Sequence, residues 1–189
     1  MALSAQADMQ SYYHCRFMGF QDTILSQKGR HYFRSSYIEG GTDFIFGQYA
    51  KAWFEKCTIG LRSISTGFVT ASGAVDGSGA WYLISSSKIG AAVGYTVPNY
   101  SVYLGRPWGL YAHVTVQYTS LTSIINPLGW SVWNKGDERT GKVRFQEFKN
   151  TGSGSSTANR ASFSTRLSSA VTLQQLFGDY SWIESDYAG

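Results

Sequence analysis

Three short runs in the first third of the chain share one pattern at one interval. In "YYHCRF", "YFRSSYI" and "WFEKCTI", aromatics are followed by a polar residue, a small Cys or Ser, one further residue and then Phe or Ile. The small residues are Cys15, Ser36 and Cys57, spaced 21 and again 21 positions apart. Looser copies follow in "YLISSSKI" near Ser87 and "VQYTSLT" near Ser120, with "FQEFKNTG" as a weaker sixth. A period just above twenty with β-patterned runs predicts a parallel β-helix, in which each coil stacks on the next at about 4.8 Å and inward positions form ladders of like residues. A β-sandwich would need repeated tight-hairpin signals. The chain has no Asn-Gly, and Asp76-Gly77 is its one Asp-Gly.

Composition agrees with one β-rich domain. The chain has 189 residues, 43% of them apolar, with 13 Tyr, 11 Phe, 6 Trp, 21 Gly and 3 Pro. The formal charge is +4, but the basic residues are scattered, as on a solvated surface, which does not argue for nucleic-acid binding. No 18-residue apolar run offers a membrane span. The start "MALSAQADMQ" has neither a basic nor a long apolar segment and is not a signal peptide, so a secreted protein would be a mature form or a fragment. One sequon, Asn99-Tyr100-Ser101, is compatible with secretion. Cys15 and Cys57 lie two coils apart, roughly 9–10 Å, beyond the ~7 Å limit for a disulfide, so both are expected as free, buried thiols. Toward the C-terminus, "TGSGSSTANRASFS" reads as a Gly/Ser-rich loop and "SSAVTLQQLFG" as a short helix stopped by Gly178. "DYSWIESDY" is an aromatic tail, and the whole segment is expected to lie along the solenoid.

The same interval links two carboxylates. Asp22 is seven residues after Cys15 and Asp43 seven after Ser36, so they should be equivalent on adjacent coils. Acids stacked about 5 Å apart repel, and one should hold a proton near neutrality, giving an acid beside a base. The alternative is that both face solvent, where the pair costs little. Against it, Asp22 follows Gln21 in "GFQDTI" and Asp43 precedes the apolar "FIFG". A third element is "YLGRPWG", where Pro107 keeps Arg106 out of the α region and Trp108 offers a flat face. Such an arginine can clamp a carboxylate in a fork. Considered alone, Arg106 reads better as a surface residue beside a turn.

Taken together and in order, "GFQDTI", "YIEGGTDFIFG", "YLGRPW" and "GWSVW" resemble the pectin methylesterases, over essentially the whole chain. The tail "VRFQEFKNTGSGS" with "NRASFSTRLSS" is similar to the fungal or other microbial type. The resemblance implies a single-stranded right-handed parallel β-helix with a short C-terminal helix and tail packed along it. It implies hydrolysis of the methyl esters of galacturonate units in pectin, with release of methanol. Asp43 matches the nucleophile, Asp22 the general acid that then acts as base, Arg106 the arginine that orients the nucleophile, and Gln21 a glutamine that holds the oxyanion. Trp108 and Phe46 match aromatic positions of the substrate groove. No metal and no cofactor is implied, and His14, His31 and His113 have no ligand spacing and read as structural or surface residues. Pectin is the implied partner, with no nucleic acid and no membrane, for a secreted, cell-wall-acting protein that is monomeric when complete.

Departures from the family pattern carry expectations too. Leu25 stands where a groove Tyr is common, and Ser72 where a Gln is usual, so each is expected to lose a sugar contact. "MALSAQA" resembles the end of a motif whose Gln, the other oxyanion donor, would lie before Met1. Residues 1–189 would then be the C-terminal coils of a catalytic domain whose N-terminal coils are missing. Two other functions fit an acid pair on a β-helix: a polygalacturonase, which cleaves the glycosidic bond, and a non-catalytic polysaccharide-binding fragment.

Overall fold

The computed structural model describes residues 1–62 and 64–187. Its strands recur in triplets, one triplet per coil. The first coil holds β1 (Leu3–Ala5), β2 (Gln10–Tyr13) and β3 (Arg16–Met18), and the second β4 (Ile24–Ser26), β5 (Lys28–Arg34) and β6 (Tyr37–Gly40). The third holds β7 (Ile45–Gly47), β8 (Tyr49–Glu55) and β9 (Thr58–Leu61). The fourth holds β10 (Gly67–Ser72), β11 (Trp81–Ser85) and β12 (Lys88–Ala91), and the fifth β13 (Val102–Pro107), β14 (His113–Gln117) and β15 (Ser120–Leu121). Strands β16 (Arg144–Phe148) and β17 (Ser164–Arg166) extend one face. Corresponding strands pair in parallel to give three sheets, ordered β1-β4-β7-β10-β13, β2-β5-β8-β11-β14-β16-β17 and β3-β6-β9-β12-β15. This is the expected parallel β-helix.

Strand alternation turns every second residue inward, and stacking converts those residues into columns. Phe17, Ile38, Ile59, Ile89 and Leu121 form one such column in register. Tyr12 stacks on Phe33 at 4.7 Å between centroids, and Phe33 on Phe54 at 4.6 Å. Most of the buried aliphatic and aromatic residues join into one core cluster running from coil to coil. Each fully buried large side chain contributes about 1.5–3 kcal/mol, which makes the columns the main stabilising element of the fold.

One repeated corner explains the period. His14, Ser35, Lys56, Ser86, Tyr118 and Lys149 all adopt left-handed φ between 45° and 53°. Each is followed by the small residue seen in the sequence pattern, and that residue's polar atom serves the coil before it. The backbone N of Cys57 donates to Ser87 Oγ (2.9 Å), that of Ser87 to Thr119 Oγ1 (3.3 Å) and that of Thr119 to Asn150 Oδ1 (3.1 Å). The fifth rung is therefore Thr119 and not Ser120, because the left-handed residue there is Tyr118. "FQEFKNTG" does form the sixth copy, through β16 and Asn150. Both cysteines are free thiols, but only Cys57 is buried, and burial pushes its thiol up to about 12. Cys15 is half-buried, contrary to expectation, because its rung is covered from one side in this chain.

The C-terminal segment lies along the solenoid as expected. Helix α1 (Leu173–Phe177) starts in a capping box of Thr172 and Gln175 and stops at Gly178, whose φ of 73° suits glycine. Leu176, Phe177 and Ile183 pack on Tyr32, Trp53 and Leu83 of the middle sheet. The Gln117 side chain fixes the approach, accepting from Val171 N (2.9 Å) and donating to Val171 O (3.0 Å).

The histidines divide as structural and surface groups. His31 is buried and bridges Ser26 Oγ (2.7 Å) and Ala7 O (3.0 Å). His113 stacks on Trp81 at 4.2 Å, and burial pushes it down to about 4. His14 is exposed. The lowered His113 sets a pH dependence. Between about pH 6.5 and 4 the unfolded chain takes up a proton that folded His113 refuses, so its stabilising contribution is complete above pH 6.5 and falls as pH drops through that window. The expected loss is about 3 kcal/mol. Urea titrations at pH 7 and pH 4.5 measure it, and His113→Phe, which retains the stack on Trp81, should flatten the difference.

Candidate active site

The first sheet carries the site on its outer face. Leu25, Phe46, Ala71 and Arg106 pair in one row across β4, β7, β10 and β13. The neighbouring row, Ile24, Ile45, Thr70 and Gly105, is the inward one. Arg106 therefore projects on the same face as Phe46, held in an extended conformation by its place in β13.

The acids come from the turns that precede β4 and β7. Gln21 and Thr42 bridge in parallel, which sets Asp22 over Asp43 at about the strand spacing of 4.8 Å. Both adopt left-handed φ, 56° for Asp22 and 50° for Asp43, a conformation unusual for a residue with a Cβ. In each case the turn lifts the acid to the outer face while the next residue, Thr23 or Phe44, is fully buried. Gly40 makes the second turn feasible: a Cβ there would lie 2.2 Å from the Phe44 ring.

The two carboxylates have different surroundings. Asp43 is 6% exposed and is gripped in a fork by Arg106, Nε to Oδ1 at 2.9 Å and Nη2 to Oδ2 at 2.7 Å. The guanidinium lies between the faces of Phe68 (4.2 Å) and Trp133 (4.5 Å), so it cannot swing away from the acid without leaving both rings. Asp22 has no such cation. Burial, and after it the charge of Asp43, raise its carboxyl above the usual carboxylate range. An acid with a raised carboxyl beside a carboxylate paired with arginine is an arrangement suited to acyl transfer.

A cleft opens over the pair, lined by Gln21, Asp22, Asp43, Phe46, Trp108 and Trp133, with Ala71 at its floor. Trp108 lies against Gly73, where a Cβ would meet its ring at 2.3 Å, and tilts toward Phe46 at 6.4 Å. Arg139 donates to the Trp108 carbonyl, lies 5.1 Å from the Trp133 ring and is paired with Asp137, thereby joining the two indole walls.

The family model described as Pectinesterase matches residues 1–186. The chain belongs to the pectinesterase family. Among similar proteins is a pectinesterase of Aspergillus aculeatus, 44% identical over 99% of this chain and 57% of its own length. The solved pectin methylesterase of Aspergillus niger, in penultimately deglycosylated form, superposes with a TM-score of 0.86 at 37% identity, over 96% of this chain and 58% of that one. The carrot pectin methylesterase gives 0.82 at 30% identity, over 93% and 59%. The chain thus spans a little over half the length of the pectinesterases it matches.

Of the residues that the pectinesterase resemblance singles out, Gln21, Asp22, Asp43, Phe46 and Trp108 line one cleft and Arg106 stands behind Asp43. Three residues had no assigned place in that reading. Phe68 and Trp133 sandwich Arg106, and Arg139 secures Trp133. Trp133 ends the quoted "GWSVW" run, so a signal for it was present in the sequence. Leu25 lies beside Phe46 in the same row of the sheet. Ser72 does not lie there: alternation buries it, and its Oγ accepts from His113 N at 3.3 Å. Among the described residues no cluster of three or more His, Cys, Asp or Glu is spaced to hold a metal ion.

Proposed function

We propose that this protein hydrolyses methyl esters of galacturonate units in pectin, releasing methanol and leaving pectate, with Asp43 as nucleophile. The observation that carries this reading is the Asp43–Arg106 fork beside an Asp22 whose carboxyl is raised. A carboxylate oxygen of Asp43 attacks the ester carbonyl carbon, and the Gln21 amide donates to the oxyanion. As the tetrahedral intermediate collapses, the bond from the acyl carbon to the methoxy oxygen breaks. The proton of Asp22 goes to that oxygen, and methanol leaves. Asp22, now a carboxylate, takes a proton from water, whose oxygen attacks the galacturonyl carbonyl of the mixed anhydride. Asp43 departs as carboxylate, and Asp22 is protonated again. Trp108, Phe46 and Trp133 present the flat faces against which sugar rings pack.

On this reading residues 1–189 are C-terminal coils of the catalytic domain, in keeping with the 57% of the Aspergillus aculeatus pectinesterase that they span. The second oxyanion donor then belongs to coils upstream, and without it the rate is lower by about 10²–10³. The protein acts as a secreted monomer on cell-wall pectin. The test is to incubate methylated polygalacturonate with the chain, alone and joined to the upstream coils of a pectinesterase relative, and to measure methanol and reducing ends in the same tube. Methanol without new reducing ends is the expected pattern. New reducing ends would assign a polygalacturonase, and binding without either product from both proteins would assign a polysaccharide-binding fragment.

A further inference from the structure

Buried Glu39 and half-buried Arg62 form a charged cluster that the chemistry above does not use. Glu39 is 3% exposed, at the β6 position between Met18 of the coil before and Gly60 of the coil after. Its carboxylate accepts from Tyr37 Oη at 2.7 Å and faces Arg62 Nε at 3.4 Å. Arg62 also donates to Tyr95 Oη and lies 4.9 Å from the Tyr95 ring.

The two residues connect to the catalytic turns at four points, three through their main chain and one through the Arg62 side chain. The Glu39 carbonyl accepts from Gly19 N (3.2 Å) and from Thr23 Oγ1 (2.9 Å), the two ends of the turn that carries Asp22. Arg62 Nη1 reaches back two coils to the Gly19 carbonyl at 3.4 Å, and Arg62 N donates to the Gly40 carbonyl (2.9 Å) at the start of the turn that carries Asp43. The two turns also join directly, since Gly41 N and Thr42 N both donate to Phe20 O (2.6 and 3.3 Å). Asp22 and Asp43 both hold a left-handed backbone that persists only where surrounding contacts over-determine it. Asp22 has no forked partner of its own, so its position rests on the turn.

We infer that Arg62 and Glu39 are positioning residues for Asp22: their staple across three coils holds the Gly19–Thr23 turn in register over Asp43 and fixes the spacing of the acid pair. The inference rests on the proposed roles of Asp22 and Asp43 for its kinetic consequence, though not for its geometric one. The charged group that faces Asp22 is the Asp43 carboxylate, with Arg106 behind it. A turn that slips takes Asp22 away from Asp43 and into water, and both changes return its carboxyl toward the ordinary range.

The test compares Arg62→Leu, Arg62→Lys and Glu39→Gln with the unaltered protein. Each is measured for kcat and KM on methylated polygalacturonate, for the midpoint of the Asp22 carboxyl titration by NMR, and for Tm. Arg62→Leu should lower kcat by about tenfold to a hundredfold, with KM within about twofold, and move the Asp22 midpoint toward the ordinary value. Arg62→Lys, which retains the charge but cannot reach Glu39, Gly19 O and Tyr95 at once, should recover part of both. Glu147→Gln serves as the control: it weakens the more deeply buried Glu147–Arg160 pair, near the other end of the solenoid, and should lower Tm without moving the Asp22 midpoint. An Asp22 midpoint unmoved in both Arg62→Leu and Glu39→Gln overturns the inference, whatever happens to Tm. If neither the unaltered protein nor its fusion to upstream coils releases methanol, the functional reading fails, and the titration still decides whether the staple positions Asp22.

Discussion

Asp43→Asn removes methanol release, by about 10⁴-fold or more, while the β-helix remains folded. Asn tolerates the left-handed φ of 50° at this position, and its side-chain oxygen can still accept one of the two Arg106 bonds. The amide oxygen is no nucleophile, so no anhydride forms, and the remaining cleft only binds and polarises the ester. The fold does not depend on this carboxylate, because the neighbouring core residues Phe44 and Ile45 and the rings of Phe68 and Trp133 around Arg106 are unaltered. The measurement is methanol release by the variant in the chain joined to upstream coils, with circular dichroism as the check on folding. A folded variant retaining more than about a tenth of the activity would remove Asp43 from the chemistry.

Glu147→Ala should cost about 3–5 kcal/mol of stability. Glu147 occupies the inward column Tyr12, Phe33, Phe54, Ile84, Val116, where a carboxylate stands at the end of a run of apolar side chains. It is 3% exposed and lies against Arg160, Nε to Oε1 at 2.7 Å and Nη2 to Oε2 at 3.1 Å. Trp130 Nε1 (3.2 Å) and Asn150 Nδ2 (3.3 Å) donate to the same acid. The carboxylate thus gathers four donors from three segments and closes the end of the core. Removing it leaves a guanidinium buried with its carbonyl partners Pro127 and Gly154 but no counter-charge. The double change Glu147→Met with Arg160→Met should cost less than the single one, because no charge is then left unpaired. Chemical denaturation of the three proteins measures both. A single variant within 1 kcal/mol of the parent would show that the pair is not needed to close the core.

The first three coils were legible because nothing interrupts them. Cys15, Ser36 and Cys57 follow the same left-handed corner at a constant interval, and that interval alone placed Asp22 and Asp43 in register. Beyond Leu61 the connections lengthen, and the strict period gives way to insertions that no propensity positions. The slip from Thr119 to Ser120 has this origin. The corner is defined by the backbone of Tyr118, and a Thr followed by a Ser offers two small polar residues to choose between. The fork between Asp43 and Arg106 spans 63 residues, and no spacing rule reaches that far. Trp133 sits in a long connector without periodicity and is brought to the site by contacts with Arg106 and Arg139, two residues far from each other in the chain. The inward orientation of Ser72 was not legible, because a short strand does not reveal which of its faces is outward until its register with Phe46 and Arg106 is known.

The most direct measurement is the carboxyl titration of Asp22 by NMR in the unaltered protein and in Asp43→Asn. Burial and the Asp43 charge both raise Asp22. Its midpoint should therefore lie above the ordinary carboxylate range in the unaltered protein and fall part of the way back in the variant, because burial remains when the charge is gone. An Asp22 that titrates in the ordinary range, or one that is indifferent to Asp43→Asn, would contradict an acid and a nucleophile working as a stacked pair.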